Sequence, residues 1–152
     1  KWTTSDSKYT IILALILIPL GALNAKGKWH LTQYPQVRMT RWNKVEYITN
    51  LLSWGLYLLS YEFLFRGVLF LGLIPFTGLY TAIGINTALY ALAHLYKGKK
   101  ETLGSIPLGI VLCYITYKTG TIWTAFASHW IMAGNNFIWS HYYNSKPPNT
   151  FK

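Results

Sequence analysis

From Gly67 to Tyr96 the chain carries no Asp, Glu, Lys or Arg. A soluble domain of this size could not cluster its charges so strongly and still cover its surface with polar groups. Composition agrees: 52% of the 152 residues are hydrophobic and 12% charged, against about 25% charged in ordinary soluble domains. The length suits one domain. We therefore expect an all-α integral membrane protein, with about five transmembrane helices in one bundle.

The segments follow from periodicity and breakers. The first, "YTIILALILIPLGALNA", approaches the length needed to span a bilayer. It resembles the apolar region of a signal peptide, but "IPLGALNAKG" is a poor small-residue cleavage site, so it reads as a retained helix. A basic connection with Trp29 and Trp42 suits a membrane interface. A second helical pattern runs from Val45 to Ile74, with Glu46, Thr49, Asn50, Ser53, Tyr57 and Ser60 forming a polar stripe expected to face protein or water. A break is expected at Pro75 to Gly78. Further segments follow at Leu79–Leu95, Thr102–Tyr117 and Thr121–Trp139, and the flexible tail is placed at 142–152.

The net charge of +10 is spread between apolar segments. That distribution favours a lipid bilayer over nucleic acid as partner. Placing the connection after segment one in the cytoplasm, with the Lys97–Lys100 loop and the C-terminus, puts ten of the fourteen basic residues inside, as the positive-inside rule requires. The single cysteine, Cys113, excludes an internal disulfide and reads as a small packing residue.

Within the apolar segments Glu62, Arg66, His94 and His129 can do chemistry. Glu62 and Arg66 are four apart and meet on one helix face. Their simplest role is mutual charge neutralisation, but ionisable groups in hydrocarbon also mark functional sites. At about 1.5 Å per residue, Glu62 lies about 20 Å before the Pro75 turn and His94 about 22 Å after it. A hairpin thus brings them to similar depth. His129, followed on its face by Met132, Ala133 and Asn136, reads either as a core histidine or as a third site group. His30 and His141 lie outside the apolar segments and call for no special role. A carboxylate and two imidazoles could hold zinc, although no helical HExxH spacing occurs. The other possibility is metal-free hydrolysis, with Glu62 taking a proton from water and the histidines stabilising the oxyanion. We expect no metal and no cofactor.

The stretches "YEFLFRG" (61–67), "YALAH" (90–94) and "HWIMAGNN" (129–136) together resemble the CAAX protease and bacteriocin-processing (CPBP or Abi) family of intramembrane proteases. Its pattern is EExxxR, an aromatic followed by three residues and then a histidine, and HxxxN, in that order on apolar helices. The resemblance covers roughly Ser53 to Asn136 and implies one CPBP-like transmembrane domain over 1–152, with a motif core at 53–139. It implies an intramembrane endopeptidase that hydrolyses membrane-embedded or lipidated polypeptides. Glu62, His94 and His129 would be catalytic, with Arg66 and Asn136 in support. The implied location is a bacterial inner (cytoplasmic) membrane. Two departures stand out. Tyr61 occupies the place of the first glutamate, and Ala133 that of the asparagine, with Asn136 one turn further on. They make the chain a variant with a single motif-one glutamate.

Two functions follow. One is the endopeptidase. The alternative is a catalytically degenerate subunit that keeps the fold as a structural or assembly component, with a partner membrane protein in place of a polypeptide substrate.

Overall fold

The computed structural model describes residues 1–39 and 41–144. Among them the structure is all-helical. The elements are α1 (Thr4–Asn24), α2 (Lys28–Gln33), α3 (Lys44–Thr77), α4 (Leu79–Leu92), a 3-10 turn (Leu95–Lys97), α5 (Lys99–Thr119) and α6 (Trp123–Asn144). Helix α1 packs along α6, α4 lies against α5, and the first half of α3 rests on α6.

Local chemistry sets the ends. Thr3 and Asp6 form a reciprocal cap on α1, as Asn43 and Glu46 do on α3, satisfying otherwise orphaned N–H groups. Glu46, expected as part of the polar stripe, is thus a capping residue. Asp6 also accepts from Thr121 Oγ1 at 2.5 Å and Thr124 Oγ1 at 3.0 Å, tying the start of α1 to the start of α6. At the other end Asn135 Nδ2 donates to the Ile18 carbonyl at 3.1 Å. Its side chain fills the space a Cβ on Gly21 would need, so this approach requires glycine.

The break expected at Pro75 to Gly78 falls at Gly78 alone. Its φ of +77° ends α3, a conformation without steric penalty only for glycine, whereas Pro75 lies inside the helix. Two other segments shift. The fourth starts earlier, at Lys99, and the fifth runs from Trp123 to Asn144. The tail expected from 142 therefore begins inside α6, and its remainder, 145–152, lies outside the described residues. Of the five expected spans, two helices among the described residues, Thr4–Asn24 and the 34-residue Lys44–Thr77, are long and apolar enough to cross a membrane. At about 1.5 Å per residue α3 is roughly 50 Å long, well over the roughly 30 Å hydrocarbon core.

Burial is inverted relative to a soluble bundle. Ile11, Ile12, Leu15, Ile16, Leu56, Leu64, Phe76 and Tyr80 are exposed, whereas Asp6, Glu62, Arg66, Asn86 and Ser128 are fully enclosed. Of the polar stripe on α3, Thr49, Ser53, Tyr57 and Ser60 point outward, whereas Asn50 is half-buried and lines the cavity that also holds His94 and His129. The two serines satisfy themselves by donating to the Asn50 and Leu56 carbonyls of their own helix. The enclosed face is instead Gly55, Leu58, Glu62, Arg66 and Phe70.

Candidate active site

Helix α3 changes pitch where the charged pair sits. Phe63–Phe70 is π-helical, directly after Glu62. Wide turns of this kind release backbone carbonyls and concentrate at functional sites. Here Asn86 of α4 donates from Nδ2 to the Phe65 carbonyl at 2.6 Å, while its Oδ1 accepts from Cys113 Sγ at 3.0 Å. The small cysteine on α5 thus belongs to the support of the wide turn. No feature of the local sequence marks it as such, because the bond comes from another helix.

Within this frame Arg66 Nη1 lies 3.0 Å from Glu62 Oε2 and donates to Oε1 at 3.3 Å. The guanidinium carbon also sits 4.2 Å over the Tyr90 ring, a cation–π contact. From α6, His129 Nδ1 donates to Glu62 Oε1 at 2.7 Å. Glu62 and Arg66 are both 0% exposed. The carboxylate is therefore held by a guanidinium on one side and an imidazole N–H on the other, the compensation a buried charge requires.

His94 follows the end of α4 and precedes the 3-10 turn. Its Nδ1 lies 2.8 Å from the Tyr90 carbonyl; a carbonyl can only accept, so Nδ1 carries the proton. The same reasoning protonates His129 at Nδ1, toward Glu62. Both neutral imidazoles then present a bare, basic Nε2. Their ring centres are 6.5 Å apart and nearly parallel, at 26°. Tyr61 stands edge-on to both, 6.5 Å from His94 and 5.8 Å from His129.

His94 and His129 line a cavity of about 40 Å³ together with Lys97, Glu101, Tyr34 and Asn136. That is room for water, whose one-probe requirement is about 10–15 Å³. Glu62 does not line it; it lies behind His129. Asn136 does line it, but its amide hydrogen-bonds the Tyr34 phenol and so serves the far end. The structure thus brings Glu62, Arg66, His94 and His129 together and sets Asn136 apart. Among the described residues no group of three His, Cys, Asp or Glu side chains is arranged to hold a metal ion.

Sequence reasoning missed the cavity's outer wall. Tyr34, just after α2, donates to Glu101 Oε1 at 3.2 Å. Its phenol is held well above the ordinary tyrosine range, first by burial and then by the neighbouring Glu101 carboxylate. Lys97 is pushed below the usual lysine range by burial, with Glu101 opposing. His30, read as an unremarkable loop residue, is 1% exposed and stacked on Tyr34 at 4.7 Å. Burial lowers its pKa. The four-residue spacing of His30 on α2 and Tyr34 just after it was the available signal.

A family model described as type II CAAX prenyl endopeptidase Rce1-like matches residues 45–134, more than half of the chain. The matched span contains Glu62, Arg66, His94 and His129 and stops two residues short of Asn136. No curated protein and no solved structure matches the chain.

Proposed function

Because the chain belongs to the Rce1-like family of type II CAAX prenyl endopeptidases, we propose that it is an intramembrane endopeptidase that cuts membrane-embedded or lipidated polypeptides. The protein acts as one transmembrane domain with its C-terminus in the cytoplasm and, in the localisation we favour, in a bacterial inner membrane. The apolar exterior around an enclosed polar set supports the membrane reading, since a bilayer rewards that inversion.

The observation that carries the reading is the 2.7 Å bond from His129 Nδ1 to Glu62 Oε1. With Nδ1–H given to the carboxylate, Nε2 is left as a base whose protonated form Glu62 stabilises, the logic of a buttressed histidine. A water in the cavity can donate one hydrogen to each bare Nε2, of His94 and of His129, leaving its oxygen lone pair for a peptide carbonyl. Attack forms the C–O bond as one water proton passes to His129 Nε2. The tetrahedral oxyanion is met by the Lys97 ammonium, which lines the same cavity. Collapse then breaks the C–N bond. The amine takes the proton from His129 and leaves a new carboxyl terminus. No cofactor enters these steps. Glu62 here acts through His129, where the sequence had suggested direct contact with water; its enclosure behind the imidazole supports the indirect role.

The test is cleavage in proteoliposomes. Purified protein is mixed with membrane-inserted peptides, and new termini are sought by mass spectrometry. New termini with the wild type and none with His129→Ala support the proposal. Identical peptide patterns with both proteins would favour the structural subunit.

A further inference from the structure

Four carboxylates stand against fourteen lysines and arginines in the sequence, and each of the four is engaged within the protein. Asp6 joins α1 to α6, Glu46 caps α3, Glu62 sits in the buried trio and Glu101 accepts from Tyr34. Among the described residues the only ion pairs are those of Glu62. Arg38 and Arg41, in the connection ahead of α3, thus have no carboxylate partner among them, yet both line one groove. It has a volume of about 280 Å³ and reaches His141 and Asn144 at the end of α6. Arg38 is held in place by donating from Nη2 to the Thr32 carbonyl at 2.6 Å.

The neighbouring space is more apolar. A second groove, of about 260 Å³, lies against Trp42, Tyr47 and Ile48. The two grooves share the Trp42 indole, which is fixed edge-on against Phe137 with ring centres 4.9 Å apart. From there Val45, Ile48, Leu52 and Leu56 run along α3 in steps of three and four residues, all strongly exposed. Such steps keep them on one helix face. A basic groove therefore opens, past an aromatic wall, onto an apolar stripe. An amphiphile with an anionic head matches both halves. Guanidinium groups bind phosphate oxygens in forks, and an acyl chain covers the stripe.

We propose that this end of the protein binds one anionic phospholipid, its phosphate held by Arg38, Arg41 and His141 and its acyl chain lying along Ile48 and Leu52. The inference requires that the chain sits in a bilayer and is independent of the hydrolytic reading. In the orientation proposed above this connection is cytoplasmic, the face whose anionic lipids attract basic segments next to the membrane. Free phosphate shares the chemistry of the head but leaves the stripe uncovered, so the apolar half of the site assigns the ligand to lipid.

In the experiment the full chain in detergent is mixed with equal amounts of phosphatidylglycerol and phosphatidylcholine carrying the same acyl chains. Bound lipid is counted by native mass spectrometry. Wild type should retain phosphatidylglycerol in preference. Arg41→Gln, which leaves the Arg38–Thr32 bond intact, should lower the preference about fivefold, and Arg38→Gln with Arg41→Gln about thirtyfold, the scale of one and two basic residues at an anionic surface. Lys8→Gln with Lys118→Gln removes the same charge at the start of α1 and the end of α5 and should keep the wild-type preference. Inorganic phosphate at the concentration of the lipid should not displace it. Tm measured in parallel shows that each variant is folded. No preference in the wild type, an unchanged preference in folded Arg41→Gln, or an equal loss in the charge-matched control overturns the site. Displacement by inorganic phosphate overturns the assignment to lipid in favour of a free phosphate ion.

Discussion

His129 Nδ1 on α6 lies 2.7 Å from Glu62 Oε1 on α3, across 67 residues of sequence. The bond joins two helices through a carboxylate that is itself 3.0 Å from Arg66, and all three groups are nearly or fully enclosed. A trio of this kind is costly to disturb, because removing one member strands the charge of another.

Arg66→Leu removes the guanidinium and leaves the Glu62 carboxylate paired only with an imidazole. Breaking a buried pair in this way costs about 3–5 kcal/mol. In a protein of this size, that corresponds to roughly 6–20 °C in Tm. Thermal unfolding in detergent should show a fall within that range and a reduced membrane yield. A Tm within a degree of wild type would mean that the pair is not needed for the fold.

Asn86→Leu tests the support of the wide turn. The substitution removes the 2.6 Å bond to the Phe65 carbonyl and the acceptor for Cys113, leaving a buried carbonyl without its partner at a cost of about 1–3 kcal/mol. Stability should fall by that amount. Cleavage should fall further than stability explains, because the turn sets the direction of Glu62. Cys113→Ala removes only a weak donor and should stay close to wild type in both measurements. If Asn86→Leu lowers only stability, the turn has no part in positioning the site.

His30 gives a pH dependence outside the spanning segments. Burial holds its folded pKa below the ordinary value, so the folded protein binds this proton less readily than the unfolded chain. The stability it contributes is present above the unfolded pKa of about 6.5. It is lost as pH falls through that value toward the folded pKa. Tm should therefore drop between pH 7.5 and 5.5. In His30→Phe, which keeps a ring to stack on Tyr34, part of that drop should vanish. Equal acid sensitivity in both proteins would count against the burial of His30 as its cause.

Much of this arrangement was legible in the residues. The four-residue spacing of Glu62 and Arg66 puts them on one face, and they are in contact. Counting outward from the Pro75 turn put His94 level with Glu62, and Tyr61, next to Glu62, is edge-on to the His94 ring. What local sequence could not show depends on other helices. The π-helical turn after Glu62 is held by Asn86 of α4. The starts of α1 and α6 are tied by Asp6, whose partners lie more than a hundred residues away. The outward direction of Ser53 and Ser60 follows from their bonding to their own helix, a choice that polar periodicity does not reveal. Glu101 lies just ahead of the apolar pattern of its segment. It faces the cavity because α5 begins three residues earlier than its apolar pattern, and because Tyr34 reaches it from the connection after α1.

The most direct test of the hydrolytic account is the cleavage rate of Glu62→Gln. Glutamine keeps the shape and an oxygen that can accept from His129 Nδ1 and Arg66, but it carries no charge to stabilise a protonated His129. With Tm measured in parallel to show that the variant is folded, kcat on a membrane-inserted peptide should fall on the order of a hundredfold or more, the scale of general-base catalysis. A folded Glu62→Gln that cuts at the wild-type rate, or that yields the same termini in the same amounts, would contradict the account.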